Sequence, residues 1–478
     1  MHFRILGHAG ECASKKNVDK ENGIDCPAVR IEQRSKIAFA KFCPGNEAGR
    51  ARNEKKYDND HKEKLPKCLN KVLSSDYFMS VHKLFSSQAS TVGLFCDCFP
   101  PVMDGVAVCM QNYAHWLQQM VGSVTVVTPK VKGADRSSLD YRVIDFFSVP
   151  VPGRPPYVTG IAEMDPIYLT EILKTRFRIV HAHCPFATGL AAQRIAKVQG
   201  IPLVATFHSK YRDDFSRSLP KVAVDLVIKA IVEFYEKADL VWVPQESVID
   251  VIRSYGYKGK VEVMDNGSDL VADYPEKYFV EARQSLGIGP EEFVLLFVGQ
   301  HIWEKNPRLV IDALALIPDQ KFRMYFVGEG YAAKEMQQLV SEKGLDGKVS
   351  FVGSIKDREQ IKTYYAASDL FLFPSLYDNA PLVVREAAAL HTPAVMAKGS
   401  TAATILKDGE NGFLVDNDPE KLAGLVKELI HNPERVHRVG VQASKSIVRS
   451  WEDCVGEALD RYNVLLASRG LPKIERLP

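Results

Sequence analysis

Two successive series of short apolar runs, separated by helical stretches, limit the fold of this chain more tightly than any other feature. The first series is TVGLFC (91–96), SVTVVTP (123–129), RIVHAH (178–183), PLVATFH (202–208) and DLVWVP (239–244), with helices expected around 106–120, 189–199 and 219–238. The second is EFVLLFVG (292–299), KFRMYFVG (321–328), KVSFVG (348–353), DLFLFPS (369–375), PAVMAKG (393–399) and GFLVD (412–416). Strand alternating with helix is the pattern of parallel βαβ units, because parallel neighbours need a long crossover between them. Between 269 and 291 the chain turns charged and loop-like, so the pattern predicts two consecutive open α/β sheets with a cleft between them. Ligands of doubly wound sheets gather beyond the carboxyl ends of the strands, which makes the residues closing each run the ones to read for function.

Size agrees with two cores: 478 residues exceed what one hydrophobic core usually supports. A formal net charge of +2 gives no global pull toward nucleic acid, so a charged partner must be met by a local site. The nine cysteines show no paired-ligand spacing and fit a reduced, cytoplasmic setting. No stretch reaches the roughly 18 consecutive apolar residues of a membrane span, and no apolar signal-peptide core opens the chain. Residues 1–78 carry 16 Lys/Arg against 11 Asp/Glu without apolar period, which reads as a disordered basic extension. Its run Arg50–Lys56 is a solvated charged stretch, and Cys12, Cys26, Cys43 and Cys68 lack zinc-ribbon spacing. Met79, just before the first strand, is an alternative start.

At the strand ends several residues carry chemistry. Gly105 opens a helix after the first strand, where the backbone can approach a ligand and helix-start N–H groups face phosphate or sugar oxygens. His181 and His183 fall on one face near the cleft; a metal pair there lacks a third nearby ligand, and structural histidines are the alternative. His208 closes the next strand. Lys305 lies near a helix N-terminus, where a cation is unfavourable unless an anion joins it, which points to phosphate. Asp378 and Glu386 stand eight positions apart, one in a loop and one inside the following helix. Glu386 precedes an apolar run, so it is expected to be partly buried, its partners either sugar hydroxyls or the chain's own backbone or an arginine.

Taken together, Pro374–Asp378 through Glu386-Ala-Ala, the turn Val298-Gly…Trp303-Glu-Lys305, and Asp408-Gly-Glu-Asn-Gly-Phe413 resemble glycosyltransferase family 4, enzymes of the GT-B fold, over about residues 91–470. The resemblance implies two Rossmann-like domains facing each other across a cleft: an acceptor domain over 91–270, a donor domain over 271–445, and a C-terminal helix within 446–478 crossing back to the first. It implies retaining transfer of a hexose from a nucleotide sugar, UDP- or GDP-linked, with no metal or other cofactor. Gly105 matches the glycine-rich loop near the donor phosphates, and His183 the histidine beside the transferred sugar. Lys305 matches the lysine holding the diphosphate, next to Gly299 and Gln300. Asp378 and Glu386 match a two-glutamate motif that meets hexose and ribose, with Leu382 and Val383 between them on the donor side. Ile355 and Asp357 match positions holding the base. Three departures stand out: aspartate at 378 for glutamate, Gln300 where an arginine is usual, and Pro381 for a glycine, which removes an N–H.

The stretch His208–Phe215, with Tyr211, and the following helix resemble members that glycosylate diacylglycerol lipids. Lys210, Arg212, Arg217 and Lys221 would then meet anionic head groups at the inner face of the cell membrane, on a peripheral protein. Other glycan acceptors are the alternative within this class. A non-catalytic sugar-nucleotide binder and a GT-B epimerase are the rival functions.

Overall fold

The computed structural model describes residues 88–478 apart from Met103, Gly153 and Pro155. The basic extension 1–78, with its charged run, its cysteines and the alternative start at Met79, lies outside the described residues.

Beyond a few two-residue pairings, the first sheet contains β1 (Val92–Phe95), β2 (Val124–Pro129), β3 (Arg142–Phe146), β4 (Ile179–Ala182), β5 (Leu203–Thr206), β6 (Leu240–Val243) and β7 (Val261–Val263). They pair in the order β7-β6-β5-β4-β1-β2-β3, all parallel. The second sheet contains β8 (Phe293–Val298), β9 (Phe322–Val327), β10 (Val349–Gly353), β11 (Leu370–Leu372), β12 (Ala394–Ala397) and β13 (Phe413–Val415). Its order is β10-β9-β8-β11-β12-β13, again all parallel. Both sheets are Rossmann-like: the first strand lies in the middle and the direction of winding reverses beside it, between β1 and β4 and between β8 and β11. Helices cover both faces, so central strands such as β1, β2 and β11 are buried at every position, which is why they read as unbroken apolar runs.

All eleven expected strands are present, shorter by up to three residues at their ends. Two more, β3 and β7, were not read from the sequence. Both are edge strands with half-buried positions and interleaved charges, RVIDF and VEV, so neither shows an apolar run. The stretch read as loop-like between 269 and 291 contains the helix Glu276–Ser285. Of its ten residues only Ala282 is buried, so it has no apolar stripe to betray it.

The last helix, Trp451–Ser468, is capped by the Ser450 hydroxyl, which accepts from Asp453 N. Its face Trp451, Val455, Ala458, Leu459, Tyr462 and Leu466 joins one core with Val92, Leu117 and Trp242 of the first lobe. The crossing is close: a Cβ on Gly267 would stand 2.6 Å from the Trp451 backbone, so only glycine fits there.

Candidate active site

At the switch point of the first sheet β1 and β4 diverge, and the chain leaving β1 enters the helix Gly105–Val121. The Asp104 carboxylate caps that helix by accepting from Ala107 N (2.8 Å) and also accepts from Tyr157 Oη (3.0 Å). Burial pushes its pKa upward despite these bonds. Gly105 is exposed, and a Cβ there would meet nothing within 4 Å, so the backbone at this helix start is open to a ligand.

His181 and His183 are two residues apart on one face, and the structure divides their roles. His181 is a strut: Nδ1 meets Tyr462 Oη at 2.6 Å and Nε2 meets Thr206 Oγ1 at 2.7 Å, with the ring fully buried. His183 stands one step closer to the cleft. Its Nδ1 lies 3.1 Å from His208 Nε2, the two rings stack at 5.3 Å, and Tyr113 sets its edge against His183 at 5.0 Å. His183 Nε2 is buried without a partner. Burial holds both histidines neutral, lowering His183 well below its ordinary value and His208 to about 4. A neutral pair can take or give one hydrogen bond to a sugar hydroxyl without bringing charge into the pocket.

Across the cleft, β8 ends in Gly299 and the exposed Gln300. The turn Trp303–Lys305 follows, and the next helix begins at Pro307. The anion that joins Lys305 is the chain's own Asp378: Nζ lies 2.6 Å from Oδ1 and 2.8 Å from Oδ2. Ser375 Oγ donates to the same carboxylate at 2.6 Å, and the Phe373 ring lies 5.2 Å beneath the ammonium. Two of the predicted residues thus form one half-buried pair, with side chains 12% and 17% exposed. Pro381 sits at the N-cap of the helix Leu382–Ala389, and its side chain makes no cap hydrogen bond, so the first turn, with Leu382 and Val383, presents a positive helix end.

Glu386 resolves in favour of protein partners. Arg358 donates to Oε1 at 2.9 Å and Tyr365 Oη to Oε2 at 2.8 Å, while Arg358 also forks onto Asp269. Asp357 caps the helix Arg358–Ala367 by accepting from Glu359 N, and Ile355 lies half-buried in the turn before it. Tyr211, expected on the acceptor side, is 5% exposed and packs edge-on against Phe186 and Phe207. Most of the basic residues of this stretch have protein partners. Arg212 pairs with Asp225, Arg217 with Glu304 and the Tyr377 ring, and Lys210 donates to Leu376 O, leaving Lys221 to solvent.

Sequence reading missed the groups that join the two halves. Asn379 Nδ2 donates to His208 O at 2.8 Å, Tyr377 Oη donates to Asp214, and Gln245 Nε2 donates to Thr401 O at 2.8 Å. Nothing in their local sequence announces them, because each partner lies more than 150 positions away. Together they set the histidine pair of one lobe against the Lys305–Asp378 loop of the other.

Comparison with known proteins shows the family and the fold. The family model "Glycosyltransferase Family 4" matches residues 103–271, and "Glycosyl transferases group 1" matches 279–446. The alpha-monoglucosyldiacylglycerol synthase of Acholeplasma laidlawii is 25% identical over 361 residues, covering 72% of this chain and 89% of that protein. The sulfoquinovosyl transferase SQD2 of Arabidopsis thaliana is 26% identical over 369 residues, covering 75% and 70%. Among solved structures, Anabaena Alr3699/HepE in complex with UDP-glucose superposes with a TM-score of 0.63 at 20% identity, over 77% of this chain and 99% of that one, a likeness of GT-B fold.

Proposed function

Because the chain belongs to glycosyltransferase family 4, we propose that it transfers a hexose from a UDP- or GDP-linked donor to a hydroxyl of a diacylglycerol-type lipid, with retention of configuration. The observation that carries this reading is the pairing across one cleft of a neutral histidine couple with a lysine-centred anion site, joined by Asn379 to His208 O.

In this reading the donor diphosphate replaces Asp378 as the partner of Lys305, whose charge stabilises the leaving phosphate as the glycosidic bond breaks. The amides of Leu382 and Val383 add fixed dipoles on the same side. Gln300 contributes no charge, so Lys305 carries that task with the helix end. Glu386, oriented by Arg358 and Tyr365, turns toward the ribose hydroxyls, and the turn Ile355–Asp357 borders the base. His183 and the freed Asp378 hold the hexose hydroxyls. The acceptor hydroxyl attacks from the face the phosphate leaves, and the departing phosphate takes its proton. Contacts between the lobes exclude water and so limit donor hydrolysis. No step is assigned to a metal.

Two features favour a lipid acceptor. The relatives above include a diacylglycerol glucosyltransferase by name. The helix Lys221–Glu236 turns Val222 and Leu226, 74% and 65% exposed, to solvent beside Lys221, an apolar stripe with a basic flank suited to an anionic membrane surface. Among the described residues no helix is long and apolar enough to cross a membrane. The test is a screen of nucleotide sugars against diacylglycerol vesicles and soluble glycans, with the anomeric configuration of product read by NMR. Transfer to soluble glycans alone would overturn the lipid assignment, binding without turnover would make the chain a sugar-nucleotide binder, and conversion of the donor without acceptor would make it an epimerase.

A further inference from the structure

The histidine couple has a third neighbour that the proposed transfer does not use. Cys109, on the helix Gly105–Val121, brings its thiol to His183 and His208 so that one donor atom from each residue lies within 4.8 Å of the other two. We propose that Cys109, His183 and His208 form a binding site for a thiophilic divalent cation, Zn2+ above all, and that its occupation shuts off the pocket. The second half of that statement rests on the transferase reading; the first does not.

The donor set and its spacing argue for this ion. Zinc binds imidazole nitrogen at about 2.0–2.1 Å, so tetrahedral coordination places two such nitrogens about 3.3 Å apart. His183 Nδ1 and His208 Nε2 already stand at 3.1 Å, with a shared proton where the metal would sit. Both imidazoles are neutral, and the facing nitrogen that carries the hydrogen-bonded proton becomes a ligand once that proton moves to the other nitrogen of its ring. His183 Nε2, buried and without a partner, leaves that ring unconstrained on its far side. His181, by contrast, spends both nitrogens on Tyr462 and Thr206 and cannot join. The Cys109 thiol has only a long contact to Asn266 Oδ1, 3.8 Å, to give up.

One effect opposes binding. Burial raises the Cys109 thiol pKa far above its ordinary value, and the thiol must lose its proton to the solvent when the ion arrives. A coordinating cation deprotonates a thiol outright, so this cost weakens affinity and makes it rise with pH without abolishing it. One sulfur and two nitrogens select Zn2+ or Co2+ over Mg2+, Ca2+ and Mn2+, which prefer oxygen. Three protein ligands leave a fourth position for water, and the ion fixes His183 away from the sugar.

The test uses the full chain, freed of metal by a chelator and titrated with Co2+. One equivalent should give the visible bands of tetrahedral cobalt and a near-ultraviolet thiolate-to-cobalt band, displaced by Zn2+ and unaffected by Mg2+. Cys109→Ser should lose the thiolate band, and His208→Gln should weaken binding about tenfold or more; melting curves of both variants establish that they fold. A thiolate band that survives Cys109→Ser, or no tetrahedral cobalt at all, overturns the site. In the activity arm, Zn2+ should inhibit transfer by the wild type, and Cys109→Ser should resist it by about tenfold or more. Transfer unaffected by Zn2+ at saturating cobalt-competing concentrations overturns the inhibitory role. A chain that transfers no sugar under any condition defeats the transferase reading while the cobalt spectrum still decides the ion site.

Discussion

Lys305 and Asp378 hold each other at 2.6 Å, and the proposed competition of a donor diphosphate for Lys305 sets the first expectation. Removing one charged hydrogen-bonding group costs about 1.5–3 kcal/mol, or about ten- to a hundredfold or more in turnover. Lys305→Ala and Glu386→Gln should each lose that much activity while keeping the fold; near-normal turnover by either would remove it from the donor site. A second residue-scale effect concerns His208, whose pKa burial lowers from 6.5 to about 4. Between those values the unfolded chain binds a proton the folded chain refuses, so this contribution to stability is complete above about pH 6.5 and is lost as pH falls toward 4. Asp97, raised from 3.8 to about 8 by burial, acts with the opposite sign over the whole of that range, so the total profile mixes the two. The difference in melting temperature between wild type and His208→Gln isolates the histidine: it should move against the wild type as pH falls from 6.5 to 4. A constant difference would show that His208 titrates normally.

Among the elements, the helix Trp451–Ser468 does the most to couple distant chain. It follows the second lobe in sequence yet buries its apolar face on the first, and its Tyr462 hydroxyl occupies His181 Nδ1 at 2.6 Å. Tyr462→Phe keeps the stacked ring against Trp242 but leaves a buried nitrogen unpaired, at about 1–3 kcal/mol. Denaturant unfolding should show a lower midpoint with an unchanged slope, and activity at low temperature should persist, because His183 and not His181 faces the cleft. An unchanged midpoint would mean that water replaces the hydroxyl.

For the molecule as a whole, the proposed transfer requires the contacts joining the lobes to keep water from the donor. Tyr377 Oη donates to Asp214, and Arg217 lies over the same ring at 4.6 Å, so donor loop and acceptor segment share one latch. Tyr377→Phe removes the hydrogen bond and keeps the ring. The ratio of donor hydrolysis to transfer should rise several-fold, since about 1 kcal/mol of closure is about fivefold in the open population. A ratio equal to that of the wild type would show that closure does not depend on this bond.

Local pattern was enough for the two α/β sheets, because buried parallel strands must be apolar on both faces and their runs stand out at any position in the chain. The same logic pointed beyond the strand ends: Gly105, His183, Lys305 and Asp378 follow strands at the switch points, and His208 follows β5 next to β4. It failed wherever burial was slight, as in β3, β7 and the helix Glu276–Ser285, whose residues carry no apolar period. Partner choice belonged to tertiary structure alone. Lys305 called for an anion and Glu386 for donors, but Asp378 stands 73 positions from Lys305, and Arg358 stands 28 from Glu386. A buried charge or polar atom specifies what kind of partner it needs; only the packing of helices and strands decides which residue arrives.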